Sequence, residues 1–144
     1  MTKKVFTASP HSSLSEGYQL MKLHEIRHLP IVLSDHLLGM ISEGDVLAKS
    51  EAEHGNIRIP NVTMGSIMKR KVITCTPLAD LSCVAGLMIT HGIKSVPVLH
   101  SNRIIGIITT TDLLDQFCIE EELCGQQVMP FSFKTRRYLP VHIT

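Results

Sequence analysis

Shifted by 67 places, the chain matches itself without a gap: Val5–Leu47 lies over Val72–Leu114, and 15 of the 43 pairs are identical. The identities run from end to end, through Thr7/Thr74, Pro10/Pro77, Leu14/Leu81, Met21/Met88, Ile26/Ile93, Pro30/Pro97, Gly39/Gly106 and Asp45/Asp112. A self-match of this kind marks two copies of one structural unit. Each copy is only about 45–60 residues, too short to bury its own elements well. The expectation is two units in pseudo-twofold arrangement packed over one shared core, bounded as residues 1–60, 61–117 and a C-terminal tail 118–144, this last read as a packing or dimerisation strand.

Each copy has the same pattern of elements. A β-favouring piece, Val5-Phe6-Thr7 or Val72-Ile73-Thr74, leads to a proline. Ser12, Ser13 or Asp80 then caps a helix whose apolar stripe is Leu14, Gly17, Tyr18, Met21 in copy one and Leu81, Val84, Ala85, Met88 in copy two. Gly92 ends the second of these helices, and copy one has no glycine at that place. Strands at Leu29–Leu33 and Leu37–Ser42, and at Val96–Leu99 and Ile104–Thr109, flank turn residues Ser34-Asp35 and Ser101-Asn102. A further helix starts near Glu43 or Thr110. The unit is β-α-β-β-α, an α/β (α+β) fold. Between the copies, polar Glu51–Asn61 is expected to lead out of the second helix of copy one into a loop, and Asn61–Met68 to form a short helical turn feeding copy two. The offset pairs Met1 with Met68, so copy one is expected to lack this lead-in.

Composition excludes several classes. Apolar residues make up 44% but aromatics only 4%, so the core must be aliphatic, as in α/β layers. No apolar run reaches the ~18–20 residues of a membrane span, and no secretory leader opens the chain, so a cytoplasmic location is expected. A net charge of +1 supplies no global field for a polyanion, and neither a membrane nor a nucleic acid is expected as partner. Cys75, Cys83, Cys118 and Cys124 form no C-x-x-C pair and read as reduced thiols. The eight histidines lack metal-ligand spacing, so no metal is expected. No nucleophile elbow, phosphate loop or zinc-protease motif occurs, so the chain is not expected to be an enzyme.

The most specific motif ends each hairpin: Gly39-Met40-Ile41-Ser42-Glu43-Gly44-Asp45 matches Gly106-Ile107-Ile108-Thr109-Thr110-Thr111-Asp112, a shared G-h-h-[ST]-x-x-D. The glycine permits close backbone approach, and the hydroxyl sits where strand meets helix. The carboxylate can accept two vicinal hydroxyls, as a ribose-binding acid does. The same Ser/Thr-x-x-Asp spacing is also that of a capping box. Both readings stand on the residues alone.

Together with Ile26-Arg27-His28-Leu29-Pro30-Ile31-Val32 and Ile93-Lys94-Ser95-Val96-Pro97-Val98-Leu99, the doubled unit resembles a tandem cystathionine β-synthase (CBS) domain pair over roughly residues 1–117. Met64–Met68 resembles the lead-in of such repeats. The resemblance implies a regulatory, often dimeric module with a cleft for an adenosine-containing ligand, such as AMP, ADP, ATP or S-adenosylmethionine, and no required cofactor. It implies that Asp45 and Asp112 hold ribose hydroxyls, with Ser42, Thr109 and Thr111 near ribose or phosphate. Ile26 and Pro30, with Ile93, Ser95, Val96 and Pro97, would line the adenine. Arg27, His28 and Lys94 would meet phosphate, His28 more strongly below neutrality, and Thr7 and Thr74 would form a wall. With three hydroxyls at Thr109–Thr111 against Glu43 in copy one, the Thr109/Asp112 end is expected to be the better nucleoside holder. The alternative is a ligand-free dimerisation or protein-interaction module. A third reading is a nucleic-acid-associated regulator acting through the tail, whose Phe131–Tyr138 stretch mixes aromatics and cations; an alternating Phe131/Phe133 strand is the simpler account of that stretch.

Overall fold

A computed structural model describes the backbone of residues 4–124 and 142–143 and the side chains of 5–118. Copy one contributes β1 (Lys4–Val5), α1 (Leu14–Leu23), β2 (His28–Leu33), β3 (His36–Ser42) and α2 (Glu43–Lys49). A small hairpin, β4 (Glu51–Glu53) and β5 (Asn56–Arg58), and a short helix, α3 (Met64–Ile67), lead into copy two. There follow α4 (Leu81–His91), β6 (Ser95–His100), β7 (Arg103–Thr109) and α5 (Thr110–Cys124), and then β8 (His142–Ile143), which pairs in parallel with β1.

The hairpins form as the turn residues dictate. Ser34 and Asp35 have φ of 50° and 64°, Ser101 and Asn102 of 51° and 62°, the paired positive angles of a tight hairpin turn. The four strands join in one sheet in the order β2-β3-β7-β6, antiparallel throughout, so exchanging the repeats reproduces the same order. The correspondence reaches single hydrogen bonds. Ala8 bridges Ile31 as Cys75 bridges Val98, and the Glu43 N–H donates to the Arg27 carbonyl (2.8 Å) as that of Thr110 donates to Lys94 (3.1 Å). Helix α1 starts with the capping box Ser13/Glu16, and α4 starts after Asp80, whose side chain makes no cap bond. Helix α4 stops at Gly92 in left-handed conformation (φ 61°), and copy one forces the same conformation on Glu25 (φ 53°).

Two expectations change. Val72-Ile73-Thr74 forms no strand, because only Cys75 reaches the sheet edge, and in copy one the strand is Lys4–Val5 rather than Val5–Thr7. The expected loop at Glu51–Asn61 contains the β4–β5 hairpin, turning at His54 and Gly55 (φ 50° and 81°). Every residue of its two strands is exposed, so no apolar alternation announces them. The Phe131/Phe133 strand lies outside the described residues.

The shared core resolves into three clusters. Leu14, Met21, Leu29, Ile31, Ile41 and Val46 fill repeat one; Val84, Met88, Val96, Val98 and Ile108 fill repeat two; Val5 and Ile104 form a smaller seam. The first cluster also takes Met64 and Met68 from the lead-in of repeat two. That segment is tied to repeat one by hydrogen bonds: Leu14 N–H to Val62 O (2.8 Å), Met64 N–H to Ser12 O (2.9 Å), Gly65 N–H to Pro10 O (2.9 Å) and a reciprocal pair between Met40 and Lys69 (2.9 and 3.0 Å). Gly39 makes this approach possible, since a Cβ there would meet the Lys69 carbonyl oxygen at 2.9 Å and Met68 at 2.8 Å. The close backbone neighbour that the motif glycine admits is therefore the chain itself.

Replacing Gly39 with Ala should cost about 1–3 kcal/mol, because a backbone carbonyl cannot rotate away as a side chain would. Gly44→Ala, whose Cβ would lie 3.7 Å from Ser42 Oγ, is the control and should be neutral or stabilising by up to about 1 kcal/mol. Urea denaturation of both variants checks this; equal stabilities would contradict the tight docking.

Candidate functional site

A cavity of about 460 Å³ opens where the end of β3, the start of α2, the lead-in and the α4–β6 connection converge. This lies within the roughly 300–1,000 Å³ of small-molecule sites. From the expected set it is lined by Arg27, His28, Ser42 and Asp45 of repeat one and by Ile93, Lys94 and Ser95 of repeat two. Lys69, Lys71, Val72 and Ile73, which follow the lead-in, line it as well, as does Glu43 at the start of α2.

The remaining expected residues lie elsewhere. Thr109, Thr111 and Asp112 do not line this cavity; they sit at the equivalent corner of repeat two. Val96 is fully buried in the second cluster, Pro30 and Pro97 are buried in their strands, and Ile26 packs against the first cluster. Thr74 lines a second, smaller cavity of about 280 Å³ with Arg70 and His36, and Thr7 lines neither. Sequence reasoning missed Lys69 and Lys71. The signal was the Lys69-Arg70-Lys71 run directly after the lead-in helix. Lys69 and Lys71 line the first cavity, while Arg70 between them lines the second and reaches the Gly65 carbonyl at 3.4 Å.

Both motif carboxylates act as helix caps. Asp45 Oδ2 accepts from the Ser42 N–H at 2.8 Å while Ser42 Oγ accepts from the Asp45 N–H at 3.1 Å. In repeat two the Thr109 N–H donates to Asp112 Oδ2 at 2.8 Å, and the Thr109 hydroxyl lies 3.1 Å from the same oxygen. Lys69 Nζ stands 3.2 Å from Oδ1 of Asp45. Glu43 pairs with Lys22 of α1 and lies 3.9 Å from Arg27 Nε. Its negative charge is thus compensated at the rim.

Partial burial opposes ionisation of Asp45, but Ser42 and Lys69 outweigh it and hold its pKa below the usual carboxylate value. His28 is pushed the other way for an imidazole. Burial, then the positive charges of Lys94, Arg27 and Lys69, lower its pKa against the pull of Asp45. The expected gain in phosphate attraction from a protonated His28 therefore begins further into the acid range. Among the described residues no group of three His, Cys, Asp or Glu side chains is placed to hold a metal, and no helix is long and apolar enough to cross a membrane.

The family model for the CBS domain matches residues 1–52 and 64–118. Among curated proteins the chain is similar to MJ1225 of Methanocaldococcus jannaschii, at 36% identity over 126 residues covering 81% of this chain. It spans only 45% of that relative's length. The MJ1225 structure, described as a candidate archaeal homolog of g-AMPK, superposes with a TM-score of 0.70. The chain is also similar to the CBS domain pair of protein MJ0100, solved in complex with 5′-methylthioadenosine and S-adenosyl-L-methionine: 30% identity, TM-score 0.70, 84% of this chain and 94% of that one. YhcV of Bacillus subtilis, a CBS domain-containing protein, is 28% identical over 78% of this chain and 79% of its own length.

With its pKa lowered on folding, His28 stays neutral in the folded protein where the unfolded chain already takes a proton. Stability should therefore fall as pH drops below about 6.5 and level off beneath the folded-state value. His28→Ser, the residue of the equivalent position 95, removes this component. The stability of the unsubstituted protein relative to the variant should decline from pH 7.5 to 5 in urea titrations; parallel curves would contradict the assignment. Asp45 acts in a separate window, its contribution being present above about pH 4 and lost as pH falls through its lower folded value.

Proposed function

The chain belongs to the CBS domain family, and from that membership we propose that it is a regulatory module binding an adenosine-containing ligand in the cavity at Asp45. The observation that carries the reading is that one cavity is walled by both repeats and by the segment joining them. A ligand there touches Asp45 of repeat one and Ile93 and Lys94 of repeat two together, so binding energy depends on how the repeats sit. That dependence is what a regulatory module needs, since a ligand shifts a conformational equilibrium only by its differential affinity for the two states. The MJ0100 pair, similar over 84% of this chain, binds adenosyl compounds. Asp45 would accept a ribose hydroxyl, Ile93, Val72 and Ile73 would cover the base with aliphatic surface, and the lysines would meet a 5′ substituent. The Asp45 end takes the place that hydroxyl count alone gave to Thr109 and Asp112, because Asp45 lines this cavity and they do not.

A second reading, a ligand-free dimerisation module, is favoured by the double use of Asp45 and Asp112 as caps and by exposed Leu78, Ile89 and Leu114 on repeat two, at 73%, 84% and 64%. One experiment separates the two. Calorimetric titration with AMP should show saturable binding weakened about 10–100-fold by Asp45→Ala, the loss of a hydrogen bond to a charged group. Asp112→Ala, which loses an equivalent cap, should stay within about twofold. Equal losses in both variants, or no binding of AMP, ADP, ATP or S-adenosylmethionine, would favour the second reading.

A further inference from the structure

Resting on the adenosine reading above, the geometry points to a cavity that selects its ligand by negative charge, with Lys69 as the specificity-determining residue. Four cations, Arg27, Lys69, Lys71 and Lys94, face two carboxylates, Glu43 and Asp45, along its walls. Glu43 is engaged by Lys22 and Arg27, and Asp45 by Lys69. Lys71 and Lys94 make no ion pair among the described residues and are exposed to the opening. The balance favours an anion over a neutral or cationic ligand.

Lys69 turns that balance into a filter. Oδ2 of Asp45 is committed to the Ser42 N–H, and Oδ1 is the oxygen that Lys69 holds at 3.2 Å. A ribose hydroxyl that takes Oδ1 displaces the ammonium. The Lys69 backbone cannot follow, because its N–H and carbonyl are both bonded to Met40, at 2.9 and 3.0 Å. Only the flexible four-carbon stem can swing, within the cavity. A ligand phosphate re-pairs the freed ammonium, whereas adenosine offers it nothing, and S-adenosylmethionine sets one carboxylate against a sulfonium and an ammonium and so brings a net positive charge into the cavity. The 67-residue offset puts Thr2 opposite Lys69, so this lysine belongs to one repeat only.

The test is calorimetric titration of the full chain with adenosine, 5′-methylthioadenosine, S-adenosylmethionine, AMP and ADP, repeated with Lys69→Met. The unsubstituted chain should bind AMP at least about tenfold more tightly than adenosine, ADP more tightly again and S-adenosylmethionine no better than adenosine. In the variant, AMP should weaken while adenosine tightens, since Asp45 is no longer occupied, and the ratio should fall below about threefold. A variant that merely folds poorly weakens both ligands and leaves the ratio unchanged, which would overturn the assignment to Lys69. Tighter binding of S-adenosylmethionine than of AMP would overturn the charge filter alone. Binding of none of the five would overturn the adenosine reading and this inference with it.

Discussion

The docking of Met64–Lys69 against repeat one is the contact on which the rest depends. It places two methionine side chains of repeat two's lead-in inside the core of repeat one and pins Lys69 to β3 by two backbone hydrogen bonds. Without it the repeats would meet chiefly through the small seam of Val5 and Ile104 and through a single register pair, His36 with Arg103. The approach is permitted by the absence of a side chain at Gly39. One missing Cβ therefore links strand geometry to cavity geometry, because the segment that Gly39 admits runs on directly as the cavity wall at Lys71, Val72 and Ile73.

Much of the fold was legible in the residues because the repeat supplied two independent readings of each element. Turn pairs, helix starts and hairpin strands were found where positive-φ residues, capping residues and aliphatic alternation coincide. What escaped lacks such signals. The β4–β5 hairpin has no buried face, so its strands carry no alternation. The strand expected at Val72–Thr74 is β-favouring by composition, yet those residues border cavities instead of pairing with a neighbour. Glu25 takes the left-handed conformation of Gly92, a backbone demand that nothing in its own side chain discloses.

The candidate site was half legible for a related reason. Residues next to the motif, Arg27, His28, Ser42 and Asp45, could be named from copy-to-copy matching, as could Ile93, Lys94 and Ser95. Matching treats the copies as equals, and the cavity does not. Its wall includes Lys69 and Lys71, which act across the boundary between repeats and whose partners at offset 67, Thr2 and Lys4, differ at the first position. The cap does not occupy the whole of the Asp45 carboxylate. One carboxylate oxygen caps α2 while the other faces Lys69 in the cavity. The cap fixes the rotamer, and the fixed rotamer aims the second oxygen.

The central claim is that a ligand binds where the lead-in and both repeats meet. Amide NMR spectra of the full chain titrated with AMP test it most directly. The account requires shift changes concentrated at Arg27 and His28, Ser42–Asp45, Lys69–Ile73 and Gly92–Ser95, in one saturable process. Changes confined to Thr109–Asp112, or none at saturating AMP, would contradict it.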